Sequence, residues 1–348
     1  MRNYNGSKTI KAIGIDLAKS VFHLHGVDAQ GMVMTRKRLS RRKLAELMAQ
    51  LPPCLVAMEA CGGAHYWARK FQAMGHDVRL ISPQFVKPYV KSNKNDMADA
   101  EAICEAVQRP TMRFVPIKSI EQQDILSIHR AREQVVRRRT AQGNQIRGLL
   151  MEYGLVIPKG MCALHAQLPD ILADADNELT LMFRDLLQGL WEELINLDHH
   201  IAGYDQQIKT LSEQSAVCKR LMTIPGVGPM VATALVASVS DGKTFKNGRE
   251  MAAWLGLVAR QHSTGGKPRL LGISKRGDVY LRKLLIHGAR AALRWVDKKH
   301  DKRSMWATSL KDRRGQNIAA VALANKTVRT AWVLITREEA YRTSATTM

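Results

Sequence analysis

Five short apolar runs within the first eighty-one residues, two of them ending on an acid, constrain this chain more than any other feature. Ala12-Ile13-Gly14-Ile15 runs into Asp16, and Val21 to Val27 follows with alternating character. The turn residues Asp28-Ala29-Gln30-Gly31 precede Met32-Val33-Met34. Runs this short, bounded by turn chemistry, read as three strands joined by tight connections. From Arg41 to Gln50, Leu44, Leu47 and Met48 are spaced for one buried helical face. Cys54 to Met58 returns to strand and ends at Glu59, Gly62-Gly63 opens a helix over Ala64 to Met74, and Val78 to Ile81 is the fifth strand. The expected order β-β-β-α-β-α-β, followed by a further helix, suits a mixed sheet covered by helices.

The acids are placed where such a sheet would use them. Asp16 and Glu59 close two strands, while Asp96 and Asp99 lie three apart on a predicted helix from Asn95 to Val107. That spacing puts both carboxylates on one face, with Ile103 and Val107 on an apolar side. Strand ends meet in a mixed sheet, and the helix can lean its acidic face over them. Four carboxylates so gathered repel one another unless cations intervene, and oxygen-only ligands suit magnesium or manganese. Two such ions ~3.5–4 Å apart would activate a nucleophile and stabilise the leaving oxygen in phosphoryl transfer. Taken singly, each acid reads as a turn, cap or solvated residue; only the combination points to chemistry.

Charge narrows the partner. Against 53 Lys and Arg stand 31 Asp and Glu, a formal +22 over 348 residues. Such an excess favours polyanions or membrane surfaces. No apolar run reaches ~18 residues, so no spanning segment is expected, and Met1 to Lys11 is polar, without a signal-peptide stretch. Nucleic acid is the expected partner and membrane is not. The five cysteines are scattered, odd in number and without a CxxC pair, which fits a reducing cytoplasm rather than a disulfide framework or zinc site. His23 and His25, and the adjacent pair His199 and His200, have no supporting ligand set and read as ordinary surface or core histidines.

The remainder reads as helical. From Ser119 to Leu150 the pattern is helical and basic, with Arg130, Arg132, Arg137, Arg138, Arg139 and Arg147. From Leu187 the apolar positions Leu190, Leu194, Leu197, Ile201, Tyr204, Ile208 and Leu211 follow in steps of three and four, the coiled-coil signature. Its partner is either the preceding basic helix or another copy of the chain. Ile224-Pro225-Gly226-Val227-Gly228-Pro229 resembles the turn of a helix-hairpin-helix element, or is a plain helix start. Helices are expected at Met230–Val239, Arg249–Leu255, Val279–Val296 and Asn317–Ile335, around a Gly- and Lys-rich loop from Gly256 to Lys275. In that loop Ser263 lies between Arg260-Gln261-His262 and Thr264-Gly265-Gly266-Lys267, where freed backbone and cations suit a phosphate. Lys275, Arg276, Arg282, Lys283, Arg290 and Arg294 form a second basic stretch. Arg137, Arg138, Arg139, Arg260, Lys267, Lys275 and Arg276 are the candidate nucleic-acid contacts.

Taken in order, Ile13-Gly14-Ile15-Asp16-Leu17-Ala18-Lys19, Met58-Glu59-Ala60, Asn95-Asp96-Met97-Ala98-Asp99-Ala100, Ile224-Pro225-Gly226-Val227-Gly228, and Gly256-Leu257 through Ser263-Thr264-Gly265-Gly266-Lys267 resemble the DEDD transposases of bacterial insertion sequences, of the IS-one-ten type. The likeness runs from about residue 11 to about residue 300. It implies an α/β ribonuclease H-like (RuvC-like) domain over 1–115, a helical coiled-coil middle over 116–215 and a mostly α C-terminal transposase domain over 216–348. It further implies that Asp16, Glu59, Asp96 and Asp99 bind Mg2+ (or Mn2+) and that Ser263, with Thr264 as fallback, is the nucleophile. Both parts would form one composite site across subunits of a homodimer or homotetramer. The implied partners are DNA, as element ends and target, and a structured guide RNA from the element itself, on the nucleoid of a bacterial cytoplasm. Two other classes fit some of the same residues: a metal-dependent Holliday-junction resolvase, which needs no serine, and a non-catalytic RNA-binding protein. Gly14-Ile15-Asp16 also suggests an actin-like or sugar-kinase ATPase, but no second phosphate loop accompanies it.

Overall fold

The computed structural model describes residues 9–91 and 95–342, in two compact units, Met1–Ile120 and Glu121–Met348. The polar N-terminal segment lies, through Lys8, outside the described residues.

The first unit runs β1 (Ala12–Leu17), β2 (Val21–Val27), β3 (Val33–Ser40), α1 (Arg41–Gln50), β4 (Leu55–Glu59), α2 (Ala64–Ala73), β5 (Asp77–Ile81), α3 (Pro83–Val86), α4 (Asp96–Val107) and β6 (Phe114–Val115). Its six strands lie in the order β3-β2-β1-β4-β5-β6. The first three are antiparallel, β4 and β5 continue parallel to β1, and β6 returns antiparallel. Five of these strands match the sequence reading; β6, of two residues, and the single turn α3 are too short to carry a period.

Strand parity decides which side chains meet which helices, because successive residues face opposite sides of a sheet. Ile13, Ile15, Phe22, Leu24, Val56 and Met58 pack with Leu44 and Met48 of α1 and Trp67 and Phe71 of α2. The alternate residues face α4: Ala12 packs with Cys104, and Ala57 with Ile103 and Val107. Gly14 belongs to this second set. A Cβ there would lie 2.2 Å from the Ala100 carbonyl oxygen and 2.4 Å from the Cys104 nitrogen, so only glycine lets α4 press directly on β1. Asn95 caps that helix, accepting from the Met97 N–H at 2.9 Å.

The second unit comprises α5 (Ile120–Met151), α6 (Met161–Ala173), α7 (Leu181–Gln214), α8 (Ala216–Met222), α9 (Pro229–Val239), α10 (Gly248–Trp254), β7 (Ala259–Gln261), β8 (Leu270–Ile273), α11 (Val279–Leu293), α12 (Lys302–Arg314) and α13 (Gln316–Thr336). The heptad-like positions of α7 are its inner face: Leu187, Leu194, Leu197, Ile201 and Ile208 are buried, and Leu190, Tyr204 and Leu211 half-buried. Within this chain the pairing is internal. Arg132 of α5 donates to both carboxylate oxygens of Asp205 (2.5 and 3.1 Å), Arg139 to Asp198 (2.8 Å), and Gln142 to the Leu190 carbonyl (3.1 Å). Residue numbers rise along α5 as they fall along α7, so the two helices run antiparallel.

The base of α5 is locked by a buried histidine. His129, 0% exposed, has Nδ1 2.9 Å from Tyr280 Oη and Nε2 3.0 Å from Thr233 Oγ1. Thr233 spends its own proton on the Pro229 carbonyl at 2.7 Å, so Nε2–H donates to it and Nδ1 accepts from the tyrosine. Burial drives the His129 pKa down to about 4, with Arg132 adding to the shift; the ring is neutral at pH 7.

Two features differ from the sequence reading. The segment expected as a loop from Gly256 to Lys275 is a two-stranded antiparallel hairpin, β7 with β8. Helix α12 was not expected, because nine of its 13 residues are polar and only Ser304 and Ala307 are buried. Helix α13 is long and apolar enough to cross a membrane, by length and composition alone. Here it is a core helix, with Ala320, Leu323, Ala324, Val328, Ala331 and Leu334 packed in the largest apolar cluster of the unit.

Candidate active site

The first candidate site grows out of strand parity. Asp16 and Glu59 lie on the α4 side of the sheet, one residue past the registered pair Ile15↔Met58 of parallel strands β1 and β4. Close packing of α4 at Gly14 brings the first turn of that helix, with Asp96 and Asp99, to the same end. Burial pushes the Glu59 carboxyl above its ordinary range, and the negative charges of Asp16 and Asp99 push it the same way. Three carboxylates from three elements thus share one electrostatic neighbourhood. Asp96 stands apart: its side chain is 65% exposed and its Oδ2 lies 3.7 Å from His23 Nδ1.

Two residues passed over in the sequence belong to this neighbourhood. His23 is the registered cross-strand partner of Asp16. The Cys61 thiol is raised by burial and then by the charges of Glu59 and Asp16. Strand spacing already contained the first of these, since a tight connection between β1 and β2 sets the pairing, but the turn length had to be known to apply it.

Among the described residues, no group of three or more His, Cys, Asp or Glu side chains is arranged to hold a metal ion. The donor chemistry nonetheless suits a hard divalent cation. Glu59 bears the cost of two like charges and partial desolvation, and a cation bound by these oxygens would remove that cost.

The second candidate site is the hairpin. Gly265 (φ 57°) and Gly266 (φ 74°) form a tight turn, with Lys267 N–H bonded to the Thr264 carbonyl at 3.1 Å. Positive φ at both central residues is the two-residue hairpin turn that matches strand twist, and glycine adopts it without strain. Ser263 sits just before it and is exposed. Its Oγ accepts from Gln261 Nε2 at 2.8 Å and from the Arg269 N–H at 3.4 Å. His262, its sequence neighbour, uses its backbone N–H to pair with the Arg269 carbonyl at 2.9 Å across the hairpin.

Comparison with known proteins decides what these sites belong to. Residues 218–304 match the family described as Transposase IS116/IS110/IS902 family, and residues 13–155 match the DEDD transposase family of the IS110 type. The chain is 52% identical over 334 residues to the "Probable family 20 transposase" of Pseudomonas aeruginosa, covering 96% of this chain and 99% of that one. It is 49% identical to the "Transposase for insertion sequence element IS1111A" of Coxiella burnetii, over 97% of this chain and 93% of the relative. The corresponding transposase of element IS1328 from Yersinia enterocolitica is 42% identical over 94% and 97%. The chain belongs to the IS110 transposase family. It is therefore an enzyme that cuts and joins DNA.

The cations of this transposase divide into engaged and exposed sets. Arg139 is turned to Asp198 within the helix pair. Arg137 and Arg138 are exposed on α5, with loose contacts to Glu133 (3.4 Å) and Glu193 (3.9 Å). Arg260, Lys267, Lys275 and Arg276 are exposed on or beside the hairpin. Its base is clamped by two close backbone approaches: a Cβ on Gly256 would lie 2.2 Å from the Arg276 carbonyl oxygen, and one on Gly277 1.9 Å from that of Trp254. Arg282 reinforces the clamp, donating to the Leu255 and Arg276 carbonyls at 3.0 and 2.9 Å.

Proposed function

We propose that this transposase works by phosphoryl transfer in which Asp16, Glu59, Asp96 and Asp99 hold magnesium, with manganese as a substitute, and Ser263 is the nucleophile. In this reading the sheet over 1–115 is a ribonuclease H-like, RuvC-like domain, 116–215 a coiled-coil arm and 216–348 the serine-bearing transposase domain. The observation that carries it is the Glu59 carboxyl at one end of the sheet, raised by burial and then by the charges of Asp16 and Asp99. The strand order, three antiparallel strands followed by two parallel ones, supports the fold assignment.

Ser263 Oγ would bond to a DNA backbone phosphorus while a bridging P–O bond breaks. The proton lost by the serine is balanced by the one the leaving oxygen gains, and the product is a phosphoserine. A hydroxyl of another DNA end then attacks the same phosphorus and releases Oγ. Donors aimed at a hydroxyl oxygen favour its deprotonated form, so the bonds from Gln261 and the Arg269 N–H support Ser263 in this role. Thr264 is the alternative, the next residue on the same arm, paired across the turn with Lys267. Bound magnesium would supply charge stabilisation at the phosphate. Asp96, exposed beside His23, would turn inward to complete the ligand set.

Arg137, Arg138, Arg139, Arg260, Lys267, Lys275 and Arg276 are the proposed nucleic-acid contacts, with Arg139 acting through the helix pair it braces. A structured RNA encoded by the element would select donor and target DNA, a homodimer or homotetramer would hold both, and the work would be done on the bacterial nucleoid. The test is a recombination assay in cells carrying the full element, with Asp16→Ala and Ser263→Ala each checked for folding by circular dichroism. Loss of strand joining in both supports the reading. Loss in Asp16→Ala alone removes Ser263 from the chemistry and leaves a metal-only nuclease.

A further inference from the structure

The second unit contains a cavity of about 420 Å³ that neither candidate site uses. It lies where the Pro225-Gly226 turn, the end of α11 and the start of α12 come together, and its size is within the ~300–1,000 Å³ range of small-molecule sites. Ala292, Val296 and Leu323 give it apolar walls, and Trp295 and Arg303 also line it.

Two properties of the cavity and its surroundings point to one kind of occupant. Trp295 is 57% exposed, an unusual position for the largest aromatic side chain, and Lys298 Nζ stands 5.2 Å from its ring centroid. Arg303 is held by one end only: Nη2 donates to the Pro225 carbonyl at 3.3 Å and to Thr327 Oγ1 at 2.7 Å. Its Nη1 is closed off from solvent and from the cavity, so Arg303 braces the wall between the Pro225 turn and Thr327. Finally, Lys298, Lys299, Lys302 and Arg303 crowd six consecutive positions. The acid among them, Asp301, is already engaged as the α12 cap, accepting from the Arg303 and Ser304 N–H groups and the Ser304 hydroxyl.

A flat ring to stack on, apolar walls and an adjoining row of cations are complementary to a nucleotide, as base face and phosphate. We infer that this cavity receives one unpaired base of the DNA substrate. The base stacks on Trp295, while the flanking phosphates meet Lys298 and Lys299. Extruding a base from a duplex costs stacking and pairing energy, so the cavity favours DNA that is already locally unpaired, as strand ends are during exchange. The inference rests on DNA being the substrate, not on the roles given to Ser263 or the acids.

The test is equilibrium binding of the full-length protein to two DNA duplexes of one sequence, one fully paired and one carrying a single bulged 2-aminopurine, with a bulged RNA duplex as a third arm. Trp295→Ala should weaken binding of the bulged DNA by roughly tenfold, within the range for loss of one base–aromatic stack, and leave the paired duplex within about twofold. Trp295→Phe should restore most of the loss. Equal weakening of paired and bulged DNA overturns the inference, as does no weakening of either. Loss confined to the RNA arm overturns it too, in favour of an RNA pocket.

Discussion

Gly226 and Gly288 meet backbone to backbone: a Cβ on Gly226 would lie 2.5 Å from the Gly288 carbonyl oxygen, and one on Gly288 2.0 Å from that of Gly226. The turn between α8 and α9 therefore docks on α11 through two absent side chains. Gly288→Ala should destabilise the second unit by about 1–3 kcal/mol, the usual cost of overpacking, and lower its melting temperature. Gly203→Ala, on an exposed stretch of α7 with nothing near its Cβ, should instead stabilise by up to about 1 kcal/mol through helix propensity. Thermal melts of the two variants that moved in the same direction would refute the docking.

Gly14→Ala tests how the first unit positions its acids. The added methyl meets the backbone of α4 at Ala100 and Cys104, and backbone gives way less than a side-chain tip. The helix should shift off β1, carrying Asp99 from Asp16 and Glu59. Recombination in cells should fall at least tenfold although all four acids remain, with the melting temperature lowered.

The raised Glu59 carboxyl gives a signed dependence on pH. A carboxylate whose folded pKa exceeds its unfolded value stabilises the fold below the unfolded pKa, and that contribution is lost as pH rises through the folded one. Above that window the ionised cluster is a liability that a divalent cation can relieve. Magnesium should therefore raise the melting temperature at pH 7.5 and much less at pH 4.5, and Glu59→Gln should shrink the difference. A magnesium shift of equal size at both pH values, in wild type and variant alike, would place the ion elsewhere.

His129 works in the opposite sense. Its folded pKa of about 4 lies below the ordinary 6.5, so the stability of the neutral ring is complete above pH 6.5 and declines as pH falls toward 4. The difference corresponds to about 3 kcal/mol. His129→Gln, melted from pH 7.5 to 4.5, should start less stable than wild type and lose less on acidification.

Much of the first candidate site was legible because it rests on parity. Asp16 follows Ile13 and Ile15 by odd steps, and Glu59 follows Val56 and Met58 likewise, so both must leave the face that buries those residues. The approach of α4 was not legible: it depends on Gly14 meeting Ala100, 86 positions further along the chain, which no period records. The serine hairpin escaped for a different reason. Its strands are exposed on both faces, so they lack the alternation that marks a half-buried strand, although Gly265-Gly266 supplied the turn signal. Helix α12 was missed because only Ser304 and Ala307 anchor it, too few to set a 3.6-residue rhythm.

The antiparallel pairing of α5 and α7 also fixes a length. Helix α7 has 34 residues, about 51 Å at 1.5 Å per residue, the rise of roughly fifteen base pairs at 3.4 Å each. Arg132 with Asp205 and Arg139 with Asp198 tie the two rods at separate points, so neither slides on the other without breaking both ties. The pair is a strut of set span, and any two points along it keep a constant interval.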